Sequence, residues 1–388
     1  MPESAARLNR IPPYAFAVIG DQIRNMVASG IDIIRLDIGS PDMPPPEVVI
    51  DKLVQSVRNP NLHGYSGYKG TPEFRQAVAR YYQNRFGVSV DPETQVLPLI
   101  GSKEGIVNLC LAYLDTGDVV LVPEVGYPSY SLGARLAGAE VLWLPVSEDN
   151  NYIPDLRAIP SDVSARAKIM WVNYPNNPTG ATVELDFYAD ALDFCRAHDI
   201  LLVSDNPYVD VTFDGYIAGS VLQVPGGPDY ALEFISCSKT YNMAGWRLGA
   251  AVGQAKAIKA LLQMKSNMDS GHFHPIYDAG VTALNTTLPH WIVERNFVYQ
   301  ARRDRLLDVL PAIGLQAYKP RGSLYVWARV ENGDGRAYAE GALRWAHVAL
   351  APGLVYGPGG RDYVRISLGM SDERFDLALN RLVSWYQG

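Results

Sequence analysis

Three cysteines in 388 residues are few, and they stand far apart at Cys110, Cys195 and Cys237. No CxxC pair occurs, so a structural zinc site and a disulfide framework are both excluded as organising principles, and a reducing compartment is the default. No apolar stretch is long enough to cross a bilayer, and no secretory h-region follows the polar residues Met1 to Arg10. The expectation is a soluble cytoplasmic protein that neither spans nor coats a membrane. A basic excess is missing too: 34 Lys and Arg against 41 Asp and Glu leave a net charge of −7. That argues against a nucleic-acid footprint, while leaving room for one local pocket that holds a small anion. Internal repeats, low-complexity tracts and flexible linkers are absent as well.

What is present is an ordinary globular composition, 48% apolar and 19% charged, with ample chain for a large core. Residues 1–30 read as an arm, in which a turn-rich IPPYAF leads to a short helix closed by Gly30. IDIIRLDIGS is a β-run ending near Gly39, and the prolines after it force an extended loop. From there short apolar runs (VLPLIG, VVLVPEVGY, KIMWVNYPNN, ILLVSDNPY, EFISCSKT, RLGAAVG) alternate with helical patterns. Such alternation predicts an α/β fold, a mostly parallel sheet covered by helices on both faces. After about residue 275 the pattern changes. A long charged helix (293–310), two strands (RGSLYVWARV, YVRISL) and a closing helix (372–386) predict a smaller α+β unit. The expected division is an arm and part of the small domain over 1–36, a large domain over 37–277 and a small C-terminal domain over 278–388.

In open α/β sheets ligands sit beyond the carboxyl ends of the strands. Those ends carry GSKEG (101–105), Tyr127, NNPTG (176–180), Asp205 with Tyr208, and SCSK (236–239). Gly101-Ser102-Lys103 is either a plain helix N-cap or an anion cradle at the positive end of a helix dipole, which Ser236, Ser238 and Arg247 would complete. Its spacing is not that of a P-loop. Asp205 closes so apolar a strand that its carboxylate needs a partner: a turn N–H, or the protonated nitrogen of a heterocycle. Tyr208 and Asn177 could then donate to an oxygen of that ring, and Tyr127 could stack on its face. Lys239 is a cation at the end of a buried run. An amine there, a phosphate cradle, an acid for a ring nitrogen and a stacking phenol are the parts needed to bind pyridoxal 5′-phosphate. Arg365, between β-branched neighbours in YVRISL, is either half of a structural ion pair or a receiver for a carboxylate ligand.

The chain resembles the class I/II aminotransferases of the fold-type I pyridoxal-phosphate enzymes. The likeness runs over nearly the whole sequence, through GYSGYKGTPEFR, GSKEG, PEVGYPSY, NYPNNPTG, SDNPY, SCSKTYNMAGWRLG and YVRISL in order. The resemblance implies that Lys239 is the Schiff-base lysine and, once released, the general base at the substrate Cα. It puts Asp205 on the pyridine nitrogen, Asn177 and Tyr208 on the 3′-oxygen, and Tyr127 on the ring face. Ser102, Lys103 (by its backbone), Ser236, Ser238 and Arg247 fall in the phosphate motifs. Tyr65 matches a tyrosine reaching the phosphate from the neighbouring subunit, which implies a homodimer. Arg365 matches the clamp on the substrate α-carboxylate, and Gly39 a backbone contact to it. The implied activity is transfer of an amino group from an L-amino acid to a 2-oxo acid, 2-oxoglutarate and glutamate being the expected pair. A C–S β-lyase and a non-catalytic cofactor-binding regulator are the rivals.

Within the family, KSNMDSGHFHPIYDAG and GSKEG are most similar to the branch of LL-diaminopimelate and aspartate-type aminotransferases. The stretch around Arg361 departs from it, and so bears on the far end of the substrate pocket. His272 and His274 alternate as a metal pair would, but no carboxylate or cysteine spacing supports a metal, and packing or capping is the better reading. Asn285-Thr286-Thr287 fits a glycosylation acceptor, idle in a cytoplasmic protein.

Overall fold

The computed structural model describes residues 2–388 except Ala6, Arg7, Arg10, Pro12, Tyr14 and Thr287. Part of the IPPYAF turn and the last residue of the acceptor motif therefore lie outside the described residues.

Seven strands form the large sheet, in the order Val96–Leu99, Gly249–Gly253, Ala231–Ser236, Leu201–Asp205, Ala167–Val172, Val119–Pro123, Glu140–Leu144. All run parallel except Gly249–Gly253, which lies antiparallel to both its neighbours. Alternate residues of each strand feed separate cores. Val119, Leu121 and Leu202 pack in one, and Val120, Val122, Leu201, Val203, Leu232 and Phe234 in the other. Burial on both faces is why these strands read as continuous apolar runs. Glu140–Leu144 is the strand that the apolar-run criterion passes over. It lies at the sheet edge and its first four residues are only partly buried or exposed, so a single continuous run is not demanded of it.

A four-stranded antiparallel sheet builds the smaller unit, in the order Ala351–Pro352, Tyr363–Ser367, Tyr325–Val330, Leu315–Gln316. The long helix Pro289–Val309 and the closing helix Asp372–Gln387 pack beside one another. Ile34–Arg35 pairs in parallel with Val348–Ala349, so the chain's beginning is stitched to its end. This strand is shorter than the β-run ending at Gly39 that the sequence suggests. The backbone beyond Leu36 leaves the ladder because side chains claim it: Arg365 donates to the Asp37 carbonyl and Lys239 to the Gly39 carbonyl. The helix His274–Asn285 straddles position 277/278 and packs beside Glu47–Val57 and Pro72–Phe86.

Candidate active site

Parallel strands end on the same edge of a sheet, so five loops converge there: those following Leu99, Pro123, Val172, Asp205 and Ser236. The reversed strand Gly249–Gly253 starts at that edge and brings in Arg247 just before it. Together they line a cavity of about 330 Å³. Of the residues expected from sequence, Gly39, Ser102, Lys103, Tyr127, Asn177, Asp205, Tyr208, Ser236, Ser238, Lys239, Arg247 and Arg365 all line it. Tyr65 does not. It is 91% exposed and borders a separate depression beside His63 and the 270–273 segment. Arg361 is exposed and outside the cavity wall. Its stretch reaches the site through Tyr356, whose ring centroid is 4.9 Å from the Arg365 guanidinium carbon.

At the cradle, Gly101 has φ +75° and is the N-cap of helix Ser102–Tyr113. A Cβ there would come within 2.2 Å of an Arg247 Nη. Glycine is needed both for the left-handed backbone and for the guanidinium that lies against it. Ser236 caps the next turn, its hydroxyl accepting from the Ser238 N–H at 3.2 Å. Arg247 itself has φ +57°. His272 braces this loop: its Nε2 meets the Trp246 carbonyl at 2.8 Å while Nδ1 accepts from the Phe273 N–H. Burial lowers its pKa, so the ring is a neutral brace. Among the described residues no group of metal-ligating side chains occurs.

Asp205 is 3% exposed. One carboxylate oxygen accepts from Tyr130 Oη at 2.7 Å, and the other is buried with no hydrogen-bond partner among the described residues. Burial lifts its carboxyl to about 7, with the Tyr130 hydrogen bond opposing and the buried Glu233 adding to the rise. A buried acid with an open lone pair calls for a cationic N–H donor. Asn173 fixes the loop from beneath, donating to the Asp205 carbonyl at 2.6 Å and accepting from the Asn177 N–H at 2.8 Å.

Lys239 donates to the Gly39 carbonyl. Burial lowers its pKa, and Arg365 and Arg247 push the same way against Tyr325, which favours the neutral, nucleophilic amine. Its backbone is held by Arg295, a buried residue of the long helix. Arg295 donates to the carbonyls of Lys239 (2.8 Å), Thr240 and Asp210. Arg365 is likewise buried: it donates to Asn177 Oδ1 at 3.0 Å and to the Asp37 carbonyl at 2.6 Å, and its Nε has no partner among the described residues. Arg365 makes no ion pair among the described residues, which favours its reading as a receiver over that as half of a structural bridge. Tyr130 and Asn173 sit inside quoted motifs with no role read for them, and Arg295 and Tyr325 are site residues from distant elements that no motif announces.

The orphaned Asp205 oxygen fits a protonated ring nitrogen, and the Gly101–Arg247 cradle fits a phosphate. Pyridoxal 5′-phosphate carries both groups on one ring, and the fold and the site together are those of an enzyme that uses it. Residues 31–382 match the family described as aminotransferase class I and II. The LL-diaminopimelate aminotransferase of Moorella thermoacetica is 47% identical over 381 residues, covering 98% of this chain and 97% of that protein. Among solved structures, apo-BacF from Bacillus subtilis superposes with a TM-score of 0.95 at 33% identity, covering 100% and 99% of the two chains. The aspartate aminotransferase of Thermus thermophilus with maleate gives 0.91 at 30%, covering 99% and 100%. The chain belongs to the class I and II aminotransferases and is a pyridoxal-phosphate-dependent enzyme.

Proposed function

We propose that this aminotransferase takes its amino group from LL-diaminopimelate and passes it to 2-oxoglutarate. The reading of the site is carried by one observation: two buried polar atoms without hydrogen-bond partners among the described residues, Asp205 Oδ1 and Arg365 Nε, belong to residues lining the same cavity. Support for the donor is the 47% identity to the Moorella enzyme along almost its whole length.

Pyridoxal phosphate supplies an electron sink for the charge left when the substrate Cα loses its proton. The chain supplies the rest. Arg365 receives the α-carboxylate and, held from two sides by Asn177 and Asp37, sets the direction of the Cα–H bond. Lys239, whose pKa burial lowers, would take that proton from Cα and pass it to the cofactor carbon on the other side of the amino nitrogen. Asp205 keeps the ring nitrogen protonated, Tyr208 and Asn177 donate to the ring oxygen, and Tyr127 covers the ring face. Ser102, the Lys103 N–H, Ser236, Ser238 and Arg247 hold the phosphate. Tyr65, exposed here, reaches the phosphate of a second copy, so the working unit is a homodimer. The three buried free thiols suit a reducing cytoplasm.

Purified protein given LL-diaminopimelate and 2-oxoglutarate should form glutamate faster than with alanine or aspartate as donor. Equal or slower glutamate formation overturns the donor and leaves transamination standing. Release of pyruvate and ammonia from L-cystathionine, with no need for a 2-oxo acid, overturns transamination in favour of β-elimination.

A further inference from the structure

Tyr325, which no sequence motif singles out, joins three parts of the cavity. It opens the strand Tyr325–Val330 of the smaller unit, opposite Ser367 and two positions from the residue that pairs with Arg365. Its hydroxyl lies 2.9 Å from that of Tyr208. The Arg365 guanidinium carbon sits 3.9 Å from its ring centroid, in cation–π range. A Cβ on residue 39 would fall 1.9 Å from its hydroxyl, so Gly39 leaves the space that this phenol occupies. Tyr325 is 2% exposed, and water does not compete for these contacts.

We propose that Tyr325 is a positioning residue with two separable duties: its hydroxyl aims Tyr208 at the cofactor's ring oxygen, and its ring face fixes the Arg365 guanidinium for the substrate carboxylate. The inference rests on the aminotransferase reading above. Each phenol has one proton, so a Tyr208 proton given to the ring oxygen leaves Tyr325 as the donor at the 2.9 Å contact. Burial raises Tyr325, but Arg365, Lys239 and the Tyr208 hydrogen bond outweigh it and bring the net shift downward. Tyr208 is raised, by burial first and then by Tyr325, with Asp205 adding and Arg365 opposing. The lowered phenol of Tyr325 and the raised one of Tyr208 run in the same direction as that assignment. Arg247, a further cation lining the cavity, acts on Lys239. A proton donated to the ring oxygen draws electron density from the Lys239 linkage nitrogen, so losing the relay makes that nitrogen more basic.

Two variants separate the duties. In Tyr325→Phe the ring stays: the pH at which the enzyme-bound cofactor changes absorbance should rise by about half a unit or more, and kcat should fall by roughly threefold to tenfold, with KM for the donor within about twofold. In Tyr325→Leu the ring face is lost as well, and KM should rise by about tenfold or more. An unmoved spectroscopic midpoint in Tyr325→Phe overturns the hydroxyl's duty, and an unchanged KM in Tyr325→Leu overturns the ring's. Tyr325→Met gives the second test of the ring should the leucine variant fail to fold. A parent enzyme that binds the cofactor yet does not transaminate sinks the functional reading itself. A transaminating parent with silent variants sinks only this inference.

Discussion

Asp205 carries a cost that shows on stability with the opposite sign to its role. Its carboxyl ionises near 3.8 in the unfolded chain and at about 7 in the folded, cofactor-free protein. Unfolding therefore releases a proton between those values, and the cofactor-free protein loses stability as pH rises from about 4 to 7, with the loss complete above 7. Asp205→Asn should raise the thermal midpoint of the cofactor-free protein by several degrees at pH 8 and flatten its pH dependence, while activity falls by about 100-fold. Glu233, also raised by burial, remains in that variant, so the dependence flattens without vanishing. A cofactor-free Asp205→Asn protein less stable than the parent at pH 8 would contradict the assignment. Asp205 and Lys239 were legible in the sequence because a charge at the end of an apolar run is anomalous on its face, and Arg365 because it stands between β-branched neighbours inside a strand. Tyr130 was not. It sits in GYPSY as an ordinary turn phenol, and only folding brings it to a carboxylate 75 positions away.

At the scale of elements, the helix N-terminus and the long helix each make one sharp demand. Gly101 is the point where the proposed phosphate cradle closes on Arg247. Gly101→Ala should push the guanidinium out and raise the dissociation constant for pyridoxal phosphate by about tenfold or more, read by titrating cofactor-free protein. An unchanged constant would mean that Arg247 does not serve the cradle. Arg295 makes the other demand. Burial brings its pKa down to about 10, so it stays charged, yet it spends that charge on backbone carbonyls. Arg295→Met strands those carbonyls and should cost about 2–4 kcal/mol in denaturant unfolding. Arg295→Lys keeps the charge but not the planar fork, and should still lose most activity because the Lys239 backbone is no longer gripped. Full activity in the lysine variant would reduce Arg295 to a structural cation. Such links were invisible in the sequence, where VERNFVYQARRDRLLDVL reads as a charged amphipathic helix with no hint that Arg295 faces inward.

For the whole molecule, the sheet was legible where strands are buried on both faces and faint at the edge, where Glu140–Leu144 needs no continuous apolar run. The smaller unit showed two of its four strands and its two long helices, but not Leu315–Gln316, Ala351–Pro352 or the stitch between Ile34–Arg35 and Val348–Ala349, because two-residue pairings leave no periodic signal. The assembly has its own test. If Tyr65 completes the neighbour's site, Lys239→Ala and Tyr65→Ala chains, each impaired alone, should regain up to roughly a quarter of parent activity when unfolded and refolded together. Half of the random dimers are hybrids, and each hybrid holds one site with both residues intact. Activity no greater than the sum of the two variants would place Tyr65 outside the active site.

The atoms of Asp205 and Arg365 that have no partner among the described residues, with the half-buried Lys239 in the same cavity, bear on how the protein persists in a cell. Each polar group desolvated without a partner weakens the empty chain, and a ligand that satisfies them binds the folded state alone. The enzyme's abundance should then follow the supply of its vitamin: under starvation for it, the empty chain opens more often and proteases clear it first.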